Sequence, residues 1–445
     1  MSFNQFTNLD FNSLRTQIKD YLRSSSKFSD FDFEGSNFSV LIDTLAYNSY
    51  ITSYNTNMAI NETFLDSATV RENITSLARN IGYVPRSARS AVAKVNLSVD
   101  FGTQEAVFAT IKAGIFAIGS VVGGNYIFSI PEDITVPTST ILNVGLDKKI
   151  AYFNNISIYE GNYITKKFIV DSSQPNQTFI LDNSNIDTTT IRVEVKDSKG
   201  IIENYEEYRN IFEVNARSRL FLVQEIADEK YQIIFGDNLL GKKPSNGSKI
   251  KVSYIISNGI DGNGANNFTF SGKIINQNGN SVTSGISNVT TTQASENGDE
   301  IESMDSVKYL APRVYASQYR AVTANDYSSL IPSLYANIDS VTAYGGEELD
   351  PPQYGRVYIT IKPKNGDVIS EALKDNIKLN LKKYTVAGIK QELLDLKYLY
   401  VEYESTVSYN SNFIPDKLDL QTRITSSIQT YAKSSDINSF GGRLK

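Results

Sequence analysis

The stretch that restricts this chain most runs from Tyr231 to Ala265, YQIIFGDNLLGKKPSNGSKIKVSYIISNGIDGNGA. Ile233 and Phe235 alternate with Gln232 and Ile234, a strand pattern that breaks at Gly236-Asp237-Asn238. Gly241 and Gly247 flank Pro244-Ser245-Asn246, where the backbone needs positive or fixed φ. Ile250, Val252, Tyr254 and Ile256 then alternate with Lys251, Ser253 and Ile255, a second strand. From Asn258-Gly259 through Asp261-Gly262-Asn263-Gly264 the run is too rich in glycine to lie inside a strand or helix. The pattern predicts a hairpin, two paired strands on a turn scaffold. A phosphate loop does not fit, because the run leads into no helix and shows neither GxGxxG nor GxxxxGKS/T spacing. Asp261-Gly262-Asn263-Gly264 has the look of a calcium loop, but no glutamate stands downstream at EF-hand spacing.

A chain of 445 residues can hold two to four domains and bury large cores unaided. It has no cysteine, histidine or tryptophan, which removes disulfides, thiolate nucleophiles, Ser-His-Asp triads and zinc sites built on Cys or His. Any catalysis would rest on carboxylates, Lys, Tyr or Arg. Net charge is -6 with no basic run, so the electrostatic footprint of a nucleic-acid binder is missing. No 18-residue apolar stretch occurs and the start, MSFNQFTNLDF, is polar, so neither a membrane span nor a signal peptide is expected. The 27 Tyr and 22 Phe suit β-rich packing and protein interfaces.

Residues 1–90 read as a helical domain. A first helix near Asp10–Arg23 carries Phe11, Leu14, Ile18, Tyr21 and Leu22 on one stripe. A second, entered at Gly35-Ser36 and running toward Met58, carries Leu41, Ile42, Leu45, Tyr50 and Tyr54. Val40, Ala46, Tyr47 and Ile51 lie outside that stripe, so this helix is either central to a small bundle or packed partly against another subunit. A third, capped by Asp66-Ser67, buries Val70, Ile74, Leu77, Ala78 and Ile81 and stops at Gly82 and Pro85.

Residues 91–292 change to short alternating strands, an all-β domain expected as a sandwich or partly open barrel. Strands are expected at Tyr126–Ile130, Ala151–Ile158, Lys167–Val170, Thr190–Val195 and Leu220–Glu225, followed by the hairpin. Ser271–Thr292 is polar and reads as an exit linker. Glu203, Glu206 and Glu207 are carboxylates close in sequence and read as a solvated face.

Residues 293–445 are mixed α/β. A helix is expected to end at Pro312, and another to begin where Thr323 and Asp326 stand at capping-box spacing. Strands follow at Ile338–Tyr344 and Arg356–Ile361, a helix after Ser370, a long strand at Tyr398–Tyr409, and a helix from Pro415-Asp416. The order α-β-β-α-β-α suits a ferredoxin-like split βαβ layer. The fold class is therefore a multidomain α+β chain.

The FGDNLLGKKPSNGSKIKVSYIISNGIDGNGA run resembles the signature of the baseplate J-like proteins of contractile phage tails. Within that group it is most similar to the wedge subunits of T4-like phages. The matching positions are Phe235, Gly236, Asp237, Gly241, Gly247, Tyr254, Gly259, Gly262 and Asn263. The N-terminal text from FEGSNFSVLIDTLAY through YVPRSARSA resembles the same wedge subunit closely. A third likeness is an acidic stretch leading to Ala311-Pro312, then Arg320-Ala-Val-Thr before Asp326-Tyr327. Members of the family usually continue past the point where this sequence stops, so the resemblance implies a chain lacking part of its last domain.

The resemblance implies a structural role in the virion's tail baseplate, assembled in the bacterial host cytoplasm. The partners it implies are a second copy of the chain and other baseplate wedge proteins, with neither nucleic acid nor membrane bound. It further implies that copies join wedges around the tail axis and rearrange on contraction, for which Ser271–Thr292 and Gly345–Tyr354 are candidate hinges by composition. No catalytic group, cofactor or metal is expected. The competing readings are a receptor- or carbohydrate-binding tail protein, which fits only the β middle, and a glycosidase needing two acids about 5–10 Å apart in a cleft.

Overall fold

Asp10 begins the first ordered element by accepting the backbone N–H groups of Asn12 and Ser13, each at 3.1 Å, so that helix α1 spans Phe11–Arg23. The computed structural model describes residues 10–24, 33, 37–121, 123–141, 148–174, 177–208, 214–335, 338–363, 369, 371–396, 406–409 and 417–432. It divides into two compact units, residues 1–296 with 300–312, and residues 297–299 with 313–445. Gly35-Ser36, Ser370, Tyr398–Ser405 and Pro415-Asp416, singled out in the sequence, lie outside the described residues.

Helix α2 spans Phe38–Asn61 and α3 Arg71–Asn80. The face that α2 buries differs from the expected stripe. Ile42, Ala46, Asn57 and Asn61 are buried, whereas Leu41, Leu45 and Tyr54 are exposed. Apolar residues surround this helix on nearly every side, so periodicity alone could not select its inner face. Helix α3 starts later than Asp66-Ser67 suggests, and neither residue caps it. Glu62 holds the backbone that leads into it, accepting Thr69 N at 2.8 Å, Val70 N at 3.3 Å and Asn73 Nδ2 at 2.8 Å. Burial opposes the charge on Glu62, but these bonds and that from the Thr69 hydroxyl outweigh it and hold the carboxyl down at about 2.

The β region contains two sheets with separate buried clusters, rather than one sandwich or barrel core. The ten-stranded sheet places Asn267–Phe270, Gly114–Val121, Gly124–Ile130, Lys148–Glu160, Ile134–Ile141, Phe108–Ile111, Ile274–Asn276 and Ser281–Val282 side by side. Val92–Asp100 pairs with both Lys148–Glu160 and Thr290–Glu296. Alternation sets its register: Val95, Leu97 and Val99 are buried with Phe116, Phe128, Phe153 and Ile158. The expected exit linker Ser271–Thr292 is part of this sheet. Ile274 is buried there, and Asp100 N and Ser287 N bond Gly285 O and Ser98 O at 2.8 and 2.9 Å. The Asn/Ser/Gly composition encodes turns between short edge strands, not a free connection.

The seven-stranded sheet runs Asn162–Ile169, Lys249–Ile256, Ile186–Lys196, Ile202–Glu207, Leu220–Glu225, Tyr231–Phe235, Phe179–Leu181. Tyr231–Phe235 and Lys249–Ile256 are therefore not a hairpin. The first pairs with Leu220–Glu225 and Phe179–Leu181, the second with Asn162–Ile169 and Ile186–Lys196. Both edges of Lys249–Ile256 are taken by longer ladders, which leaves none for the strand preceding it in sequence.

In the other unit, Ile338–Gly345, Arg356–Pro363 and Lys390–Leu394 form a three-stranded sheet. Helix α5 (Ala324–Leu334) and helix α6 (Glu371–Leu381) contribute Tyr327, Leu330, Ile331, Ile377 and Leu381 to a core with Val357, Ile359 and Ile361. Arg356–Pro363 and Lys390–Leu394 are parallel and directly bonded neighbours. A split βαβ layer would set another strand between them, so the ferredoxin-like arrangement is not confirmed. The strand expected at Tyr398–Tyr409 has no counterpart in residues 406–409, and the parallel strand lies earlier, at Lys390–Leu394. Helix α4 (Met304–Ser317) runs through Pro312 instead of ending there. Its buried Val307, Leu310, Ala311 and Val314 keep helical spacing across the proline, and that burial offsets the lost backbone bond. Helix α7 covers Lys417–Ala432. The candidate hinge Gly345–Tyr354 is a closed loop, with Gln353 N donating to Gly346 O at 2.7 Å.

Because the folded Glu62 carboxyl titrates near 2 against an ordinary 4.5, its stabilising contribution is complete above about pH 4.5 and vanishes as pH falls toward 2. Glu62→Gln should remove that acid dependence and raise amide exchange at Thr69–Asn73 at neutral pH. Identical acid-unfolding curves for the two proteins would contradict the assignment.

Candidate functional site

The glycine-rich end of the Tyr231–Ala265 stretch closes over one buried carboxylate. Strand Lys148–Glu160 ends at Glu160, fully buried, and Gly161 at φ +127° turns the chain into the first strand of the other sheet. A side chain at Gly161 would stand 2.2 Å from Ile256 O, so only glycine permits the approach. The return connection passes beside it. Ser257 Oγ and Asn258 N donate to one Glu160 oxygen at 2.8 and 3.0 Å, and Asn258 Nδ2 to the other at 2.7 Å. A third connection, leaving the helical segment, meets them where Glu160 N donates to Ala91 O at 2.8 Å. Ser257 Oγ also reaches Arg89 O at 3.2 Å, and Ser90 N donates to buried Asp187 at 3.0 Å.

Burial pushes the Glu160 carboxyl up, the donors from Ser257 and Asn258 pull it back, and Asp261 adds repulsion; the net direction is upward. Gly262 lies flat on the Glu160 side chain, where an added Cβ would come within 2.4 Å of its Cγ. Ser295 Oγ donates to Gly262 O at 2.6 Å and accepts from Ala265 N at 2.7 Å, which fixes the turn to the strand that leaves the region. Gly259, at φ +64°, is buried, and Asn263 N donates to Ile260 O at 3.0 Å. This arrangement is a clip between strand connections. The donors of Ser257, Asn258 and Ser295 are spent inside the protein.

The Phe235–Gly247 part sits elsewhere on the seven-stranded sheet. Phe235 packs edge-on against Phe179 and Tyr205, with centroids 5.5 and 5.4 Å apart. Asp237 accepts Leu239 N and Leu240 N at 2.9 and 2.8 Å, and those bonds hold its carboxyl below the usual range. Gly236 backs onto Gly241, where an added Cβ would meet Gly241 O at 2.3 Å. Gly241 and Gly247 take φ of +87° and +76°, the turn geometry expected of them. Tyr254, buried, donates to Asn183 Oδ1 at 2.6 Å. Glu203, read from sequence as part of a solvated face, is only 16% exposed and is held by Arg219 at 3.0 Å and Lys242 at 2.5 Å.

In the other unit, Asp326 accepts Thr323 N at 2.8 Å while Thr323 Oγ1 accepts Asp326 N at 3.4 Å, the reciprocal capping box at the start of α5. Tyr327 is fully buried behind it, and exposed Arg320 donates its N–H to Ser317 O at 2.9 Å. Within the larger unit the sequence-selected glycines fall at two turns, Gly236–Gly247 and Gly259–Asn263, with Tyr254 inside a strand; Pro312 lies inside α4, and Asp326 and Tyr327 open α5. Glu160, Asp187 and Ser295 were not selected from sequence; Glu160 is marked only as a carboxylate ending an apolar alternating run, and Asp187 and Ser295 carry no comparable signal. Among the described residues no group of three acidic side chains could hold a metal ion. No helix among them is long and apolar enough to cross a membrane.

The described residues thus comprise a helical start, two β cores and an α/β unit. Residues 10–83 match the family described as baseplate wedge protein gp6-like, helical domain, and residues 323–394 match baseplate structural protein gp6, C-terminal domain I. The chain is similar to baseplate wedge protein gp6 of Enterobacteria phage T4, with 24% identity over 440 residues. That match covers 95% of this chain and 64% of the T4 protein. Among solved structures, a chain in the cryo-EM structure of the anti-feeding prophage baseplate matches at 13% identity with a TM-score of 0.29, covering 88% of this chain and 80% of that one. A score of that size does not bear on the fold.

Gly262→Ala should destabilise the protein by about 2 kcal/mol or more through its collision with Glu160. Glu160→Gln, which turns an acceptor toward Asn258 into a donor, should cost about 1–3 kcal/mol. Urea unfolding midpoints check both, and a Gly262→Ala protein as stable as wild type would mean the clip is not close-packed.

Proposed function

We propose that this chain is a structural subunit of a phage tail baseplate wedge, joining wedges into the inner ring around the tail tube and rearranging when the sheath contracts. The observation that carries the reading is the likeness to the T4 wedge protein along 95% of the chain. The role is mechanical, without catalysis or cofactor, and its place is the virion's tail baseplate, assembled in the host cytoplasm. We take residues 1–90, 91–292 and 293–445 as its three working segments. The motif positions, Phe235 to Asn263 with Pro312, Arg320, Asp326 and Tyr327, serve it as scaffold, setting turns, caps and buried contacts.

Partners are a second copy of the chain and other wedge proteins. Helix α2 supports this. Val40, Thr44, Tyr47, Ile51, Tyr54 and Met58 recur at alternating spacings of four and three, and the first five are exposed. Asp43 is the helix's one charged residue, and it is bound to Arg15 at 2.5 Å. An uncharged, largely apolar exposed seam beside the buried face favours a neighbouring helix over solvent. A receptor-binding role has weaker support, since it leaves both the helical start and the α/β end without a task.

Co-expression with neighbouring tail proteins followed by native mass measurement tests the reading. Wild type should enter a stable hetero-oligomer, and Tyr47→Asp with Tyr54→Asp should lose it while keeping the wild-type circular dichroism spectrum. A lone homotrimer indifferent to those proteins would favour the receptor-binding role instead.

A further inference from the structure

Helix α3 opens on Arg71, whose guanidinium holds two distant parts of the chain at once. Its Nε and Nη2 donate to the two oxygens of Glu225 at 2.7 and 3.3 Å, and Nη1 donates to Glu302 O at 2.6 Å. The Arg71 and Glu225 side chains are 16% and 7% exposed, which makes this a desolvated fork-to-carboxylate pair rather than a surface contact. Glu225 ends a central strand of the seven-stranded sheet, and Glu302 lies where the chain returns from the β region. The Glu302 carboxylate, itself buried, accepts Tyr83 Oη at 2.8 Å, Arg86 N at 2.9 Å and Ser306 Oγ at 2.7 Å. Its own N–H donates to Arg86 O at 3.1 Å. Lys308 reaches back to Asp66 O at 3.3 Å, a further tie between the same segments.

A cavity of about 60 Å³ lies beside the pair, lined by Thr75, Arg79, Val84, Pro85, Val223 and Tyr231, while Ile74 and Ala78 of α3 are fully buried. Directional bonds to charged groups add a fixed angle to that apolar packing.

We infer that Arg71, Glu225 and Glu302 form a clamp that locks α3, the seven-stranded sheet and the 300–306 return into one rigid body. A wedge protein that changes shape must then take up the motion outside this body, and the helical segment cannot swing on the β region. Removing the guanidinium leaves Glu225 buried without its partner and frees the Glu302 carbonyl, so the three segments should open together.

Hydrogen exchange on the full chain tests this without any baseplate partner, so its failure is separate from failure of the assembly role. Arg71→Met should speed exchange at Tyr83–Ala88 and Glu302–Ser306 by about tenfold or more, while α5 keeps its wild-type rate. Should that variant not fold, the double variant Arg71→Met with Glu225→Met removes both charges. It should fold, and it should still exchange faster at Glu302–Ser306, because the bond to the carbonyl is gone. Wild-type exchange at those residues in either variant overturns the clamp.

Discussion

Everything in the β region depends on a carboxylate placed where water cannot reach it. Glu160 is buried at the point where three connections pass between helices and sheets, and its oxygens accept from Ser257 and Asn258. A buried carboxylate without donors would be expensive, so the connection bearing those donors is fixed beside it. Gly161 and Gly262 matter because they let two stretches of backbone come close enough for the bonds to form. The seven-stranded and ten-stranded sheets keep separate cores, and what joins them here is polar and short-ranged.

The same logic recurs at other junctions. Glu62 receives the entry of α3, Arg71 ties that helix to Glu225 and Glu302, and Asp326 closes the start of α5. Sheets and helices supply apolar bulk, while single charged side chains satisfied by backbone groups decide how one element follows another. Such junctions suit a protein whose proposed work is to hold shape under load. A directional bond fixes an angle, whereas apolar contact alone tolerates sliding.

Local structure was legible in the sequence where a short-range rule decides it. Alternation in Val95, Leu97 and Val99 marked a strand, Thr323 and Asp326 marked a helix start, and Gly241 and Gly247 marked turns. The family resemblance pointed to the T4 wedge protein, to which the chain is similar along 95% of its length. Less was legible where apolar residues surround an element. The inner face of α2 could not be chosen by periodicity, and the pull of Pro312 toward ending a helix was outweighed by burial on both sides of it.

By itself the sequence determined the cleanly alternating strands around Val95–Val99, Ile233–Phe235 and Ile250–Ile256, the turns at Gly241 and Gly247, and that neither thiol nor imidazole chemistry is open to this chain. Only the tertiary structure decided which strands pair. Tyr231–Phe235 and Lys249–Ile256 follow one another in sequence and alternate cleanly, yet three strands separate them in the sheet. Alternation records which side of a strand faces a core, and it contains nothing about the neighbour along the hydrogen-bonding direction. Strand pairing, like the partners of Glu160 and Arg71, is settled by contacts between residues far apart in the chain.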